Sequence, residues 1–131
     1  MVYCDINDIK ILTNFIDFNE NTIPSATQVN NWIYIISSEI TIASKKNKID
    51  INNLNDDQKN ILKKYCSEGV AGMVLNVLLN NNQTEGTQAN FYKIEYEKFL
   101  KNIKSFLIED SFSPTGSGID NEIEEKDDFV F

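Results

Sequence analysis

Apolar positions recur at intervals of three and four along much of the chain, the period of one face of an α-helix. The clearest run is Val29, Trp32, Ile33, Ile36, Ile40 and Ala43. It predicts a helix from near Ser25 to near Lys46, about 22 residues and roughly 33 Å long. Lys45, Lys46 and Lys48 stand at its C-terminal end, where cations complement the helix dipole. A second apolar set on the same helix, Tyr34, Ile35 and Ile42, points elsewhere. A helix apolar on more than one face is either central in its fold or packed on another subunit.

A further helix is expected after Asn55, opened by Asp56 and Asp57 in its first turn. Its second half, through Val70, Met73, Val74, Val77 and Leu78, is apolar nearly all round and reads as the central core helix. Gly69 and Gly72 interrupt it at about 1 kcal/mol each. Close approach of another backbone is the expected compensation. Asn80-Asn81-Asn82 ends the pattern. A last helix over about Thr87 to Ile108 carries the stripe Phe91, Tyr92, Tyr96, Phe99, Leu100 and Ile103, continued by Phe106 or Leu107.

A shorter first helix is expected from Asp5 to Thr13, with Asp5 accepting the amide of Asp8. Phe15 to Ile23 reads as a loop. Lys48 to Leu54 reads as a connector, extended at Ile49-Asp50-Ile51. The fold class is therefore all-α: a small bundle of about four helices, with two long central ones and a flexible acidic C-terminal tail.

Charge sharpens that division. The chain has 131 residues and a formal charge of −8. Residues Glu109 to Phe131 hold eight acids and one lysine, a balance of −7, whereas the preceding residues hold 11 lysines and 12 acids, a balance of −1. A nearly neutral helical domain, 1–108, thus precedes an acidic tail, 109–131. Ser113-Pro114-Thr115-Gly116-Ser117-Gly118 has linker composition, and the tail ends in Phe129-Val130-Phe131. An apolar tip on an acidic arm loses solvation free energy unless it docks. The tip is therefore a candidate strand or hook for a partner, with the acids seeking a basic surface.

Composition removes several chemistries. There is no His and no Arg. A His-dependent triad, a His-ligated zinc site, an arginine finger and bidentate Arg recognition of guanine or phosphate are excluded. Asp56-Asp57 and Asp127-Asp128 read as a helix start and a solvated tail. Ser67-Glu68-Gly69 has no His base, and Glu68 to Gly72 lacks the strand and lysine of a phosphate-binding loop. The two lysine clusters, Lys45, Lys46, Lys48 and Lys59, Lys63, Lys64, read as solvated helix faces. Cys4 and Cys66, the only cysteines, lie far apart in sequence and read as reduced structural thiols. Cys66 is made inert by an apolar setting. No catalytic, cofactor or metal site is expected, nor a membrane span, and the chain is expected to be a soluble protein of a reducing compartment. Trp32 reads first as a core anchor and otherwise as part of a subunit interface.

Several segments together resemble a known family. They are Asp5-Ile6-Asn7-Asp8-Ile9-Lys10-Ile11-Leu12; Ile23-Pro24-Ser25 before the long helix with Trp32-Ile33 and Ser38-Glu39-Ile40; Leu62-Lys63-Lys64-Tyr65-Cys66-Ser67-Glu68-Gly69-Val70-Ala71-Gly72; and Phe91-Tyr92-Lys93-Ile94-Glu95-Tyr96-Glu97-Lys98-Phe99-Leu100. Over about Tyr3 to Ile108 the chain resembles the head–tail connector (adaptor, or head-completion) proteins of tailed bacteriophages and related particles. The acidic tail has no counterpart in the resemblance.

The resemblance implies a structural protein, not an enzyme. About a dozen helical protomers would form a ring under the portal protein and extend the DNA channel. The ring would carry the stopper or tail-completion protein. DNA would pass without sequence-specific binding, and the location would be the head–tail interface of the virion, after assembly in the host cytoplasm. Each protomer in such a ring uses two different faces. Trp32, Ile35, Ile42 and Tyr96 are the expected subunit-interface residues, and Phe129, Val130 and Phe131 the expected portal-docking residues. The competing class is a small acidic helical regulatory or partner-binding protein, including a mimic of DNA.

Overall fold

The computed structural model describes residues 1–78 and 86–108. The described residues form five helices, α1 (Ile6–Leu12), α2 (Ala26–Lys46), α3 (Asp56–Leu78), α4 (Gly86–Lys101) and α5 (Ile103–Leu107), with a 3-10 turn at Ile51–Asn53. No strand occurs among the described residues.

Local chemistry sets the helix starts. Asp5 accepts the Asp8 amide at 3.0 Å while the Asp8 carboxylate accepts the Asp5 amide at 2.9 Å, a reciprocal cap that opens α1. Ser25 caps α2 by accepting the Gln28 amide at 3.2 Å. Asn55 and Gln58 cap α3 reciprocally, both bonds being 2.8 Å. Between α2 and α3 the expected extended connector holds at Asp50, whose backbone is extended, but not at Ile51, which begins a 3-10 turn. Asp50 accepts the Asn52 amide and holds the Asn53 side chain, and this curls the connector into the 3-10 turn.

The central helix is α3. From Tyr65 to Leu75 every residue except Met73 is buried, and α4, α2 and α1 pack around it. Both glycines permit that packing. A β-carbon on Gly72 would lie 3.3 Å from the Ala89 carbonyl oxygen and 3.4 Å from the Lys93 amide nitrogen, so the α4 backbone comes close at this point. A β-carbon on Gly69 would lie 3.0 Å from two atoms of the Tyr96 ring. The expected close approach is thus found, made by backbone at one glycine and by an aromatic ring at the other.

The last helix is not continuous. At Asn102 the backbone leaves the helical region, and the Asn102 side-chain amide donates to the Lys98 carbonyl at 3.0 Å. The Asn102 backbone N–H is shared between the Lys98 and Phe99 carbonyls, at 3.0 and 3.2 Å, so the last turn tightens and α4 ends there. The break lets α5 swing Ile103 and Leu107 into the core, where both are essentially fully buried. Phe106 closes an aromatic cluster: Tyr65 and Phe99 stack at 4.6 Å between centroids, and Phe106 lies 5.3 Å from Tyr65 and 5.6 Å from Phe99. Gln58 donates to the Leu107 carbonyl, tying the start of α3 to the end of α5. Phe91, placed by the sequence on the buried stripe, instead faces out against Tyr92.

Candidate functional site

Helix α2 buries Val29, Ile33, Ile36 and Ile40 in the core. Its opposite side holds Ile35 and Ile42, at 50% and 56% exposure, seven residues and so about two turns apart on one line. Tyr34, 62% exposed, flanks them. On α4, Phe91 and Ile94 are similarly exposed and three residues apart. Among the described residues no element covers these five large apolar side chains. Scattered singly they would need no explanation; aligned on one helix they form a face.

Beside Ile42 the two helices leave an open groove of about 610 Å3, with Ala43 and Leu100 as its apolar surface and Glu39, Lys46, Glu97 and Lys101 around it. Two lysines and two acids give it no net sign. Its wall is fixed from below: the Tyr96 hydroxyl donates to Glu39 at 2.6 Å. Burial, then the hydrogen bond and charge of Glu39, push the Tyr96 phenol above its ordinary range, so it stays a donor.

The four expected interface residues therefore separate. Ile35 and Ile42 lie on the outer face of α2. Trp32 is half-buried against the protomer core. Tyr96 lies inside the fold, its ring under Gly69, where it supports the groove from within instead of standing on an exposed face with Ile35 and Ile42. Phe129, Val130 and Phe131 lie outside the described residues.

Two buried polar features were not foreseen. Cys4 and Cys66, 62 residues apart in sequence, meet in the interior with their sulfurs 3.1 Å apart. Both are free thiols. The Ser37 hydroxyl lies 3.4 Å from Cys66 Sγ and accepts the Tyr3 amide at 3.2 Å. The other feature is Glu68, which is 8% exposed and whose Oε1 has no hydrogen-bond partner. Its position one residue before Gly69, in the helix half that is apolar all round, is a signal that sequence reading could have used. No spacing rule could have paired the cysteines.

Burial raises the Glu68 carboxyl above its ordinary value of 4.5; nearby Lys64 opposes this, and Glu95 adds to it. A raised folded value means that the folded state favours the protonated form. The stability this gives is complete below about pH 4.5 and is lost as pH rises through the raised value. Glu68→Gln should therefore leave stability unchanged near pH 4 and increase it by about 1 kcal/mol at pH 8. Urea unfolding at the two pH values measures this; an equal gain at both would contradict the assignment.

Among the described residues no group of three or more His, Cys, Asp or Glu side chains could hold a metal ion. None of their helices is long and apolar enough to cross a membrane. Comparison with protein-family models, with curated proteins and with solved structures yields no match.

Proposed function

We propose that the chain is a structural connector subunit that forms a ring beneath the portal of a tailed phage or phage-like particle. The observation that carries this reading is the apolar line Ile35–Ile42 on α2, flanked by Tyr34 and left exposed among the described residues. It stands beside the sequence resemblance over Tyr3 to Ile108. A closed ring of identical subunits needs two different, mutually complementary faces on each protomer. The outer face of α2 supplies one and the Phe91–Ile94 side of α4 is the candidate for the other. The protein then acts by assembly, not by catalysis. Its ring extends the DNA channel, and the next neck component sits on it. A helical domain at −1 with an arm at −7 offers phosphates no cationic track, so DNA slides through without being held.

In this reading the arm, 109–131, reaches the portal, with Phe129 and Phe131 as its anchors. Co-sedimentation with portal rings from the same genome tests it. The full chain should pellet with the portal, and a chain lacking Gly118 to Phe131 should pellet much less. Undiminished co-sedimentation of the shortened chain would remove the arm from the mechanism. Failure of the full chain to pellet, with tight binding to a basic or DNA-binding host protein as a small complex, would favour an acidic regulator instead.

A further inference from the structure

We propose that Cys4 and Cys66 form a reversible intramolecular dithiol–disulfide latch that fastens the N-terminal segment to the central helix. The chemistry needs no portal and does not depend on the connector reading.

The geometry carries the argument. The two sulfurs are 3.1 Å apart in a buried site, so a disulfide, at about 2.05 Å, requires an approach of only about 1 Å. The partners come from unrelated parts of the fold. Cys66 is fully buried in the middle of α3, and Cys4 sits just before the cap of α1. Residues before that cap have few other ties. Tyr3 donates its amide to Ser37, and its hydroxyl meets Thr41, while Met1 and Val2 are exposed. Opening this short segment would break its two Tyr3 ties to α2, at Ser37 and Thr41, and carry Cys4 off the side of Cys66 that it covers.

Surrounding groups divide the roles. The Cys4 thiol and the Ser37 hydroxyl point hydrogen bonds at Cys66 and draw its pKa down, against the opposing effect of burial. Cys4, which keeps the shared proton and is itself desolvated, is held well above the ordinary thiol range. Of the pair, Cys66 is drawn toward the thiolate by its neighbours, and we assign it the first attack.

With a hydroperoxide as oxidant, the Cys66 thiolate attacks the terminal oxygen. A sulfur–oxygen bond forms, the oxygen–oxygen bond breaks, and the departing hydroxide takes up the proton released by Cys66. The Cys4 sulfur then attacks Cys66 and gives up its own proton. The sulfur–sulfur bond forms, the sulfur–oxygen bond breaks, and a second water leaves. Two thiols are oxidised by two electrons, and one hydrogen peroxide becomes two waters. A small dithiol reverses the bond by exchange. A protein folded in a reducing compartment and later released into an oxidising one would meet the closing condition at that passage.

The experiment uses the full chain, reduced and then treated with a slight excess of hydrogen peroxide. Free thiols are afterwards alkylated with N-ethylmaleimide in denaturant. The expected product is a monomer lighter by two hydrogens, without maleimide, containing a Cys4–Cys66 linked peptide and restored by dithiothreitol. Because the bond closes a loop of about 60 residues, the thermal midpoint should rise by roughly 10 °C. Cys4→Ser and Cys66→Ser should each abolish both the linked peptide and the rise. Two maleimide adducts after treatment, oxidation stopping at sulfinic acid, only intermolecular dimers, or a linked peptide with no change in midpoint would each overturn the latch. All of these are read on the unsubstituted chain, so a variant that fails to fold does not blunt the test.

Discussion

Phe99→Ala should lower the free energy of unfolding by about 3–5 kcal/mol, the cost of an aromatic-to-alanine change in a closed core. Phe99 is fully buried and stacks on Tyr65 at an interplanar angle of 5°. Phe106 leans on both rings from α5. Truncation removes the transfer free energy of the ring and leaves a cavity bounded by α3, α4 and α5. Two of its walls are stiff aromatics, so collapse is limited. It also loosens α5, a five-residue helix too short to persist without its tertiary contacts. The Asn102 break positions that helix, and the Gln58–Leu107 bond ties its end to the start of α3. Urea unfolding followed by circular dichroism measures the loss. Phe91→Ala is the control: Phe91 is 55% exposed, and its change should stay within about 0.5 kcal/mol. A loss at Phe99 no larger than at Phe91 would show that the aromatic cluster is not the core.

On the proposed connector function, Ile35→Glu combined with Ile42→Glu should do the reverse, sparing the fold and abolishing assembly on the portal. Each side chain is at least half exposed, on the side of α2 opposite Val29, Ile33, Ile36 and Ile40. Glutamate is a good helix former, so the protomer should lose no more than about 0.5 kcal/mol. At an interface the same changes bury two unpaired carboxylates, a cost of several kcal/mol per subunit contact that no ring could absorb. Thermal melting checks the fold, and analytical ultracentrifugation in the presence of portal rings checks assembly. A variant that melts early would assign the two isoleucines to the protomer. A variant that still assembles would assign them to neither role.

The architecture was legible because three and four residue spacing needs no tertiary knowledge. Val29 to Ala43 specified α2 and its two faces, and Ser25 and Asp5 marked helix starts through bonds that depend only on neighbours three residues on. Gly69 and Gly72 announced close packing through their helix cost. What escaped depended on competition or on distance. The apolar stripe runs straight through Asn102, where the backbone N–H is shared between the Lys98 and Phe99 carbonyls and the chain leaves the helical region. Asp50 ended the alternation of Ile49 and Ile51 in a 3-10 turn that begins at Ile51. Tyr96 lies on the stripe and was assigned to a neighbour, because periodicity shows that a face is apolar but not which partner covers it. The meeting of Cys4 with Cys66 is a property of the assembled core, invisible to any local pattern. On the outer face of α2 the sequence was more useful: Tyr34, Ile35 and Ile42 stood out as a second apolar set before any coordinates placed them in solvent.

Whether that face builds a ring is the central question. Electron microscopy of portal rings mixed with the full chain answers it most directly. The connector reading predicts an added ring of density coaxial with the portal, its subunits in contact through α2, and bare portals when Ile35→Glu and Ile42→Glu are present. Bare portals with the unsubstituted chain, at concentrations where it is folded, would contradict it.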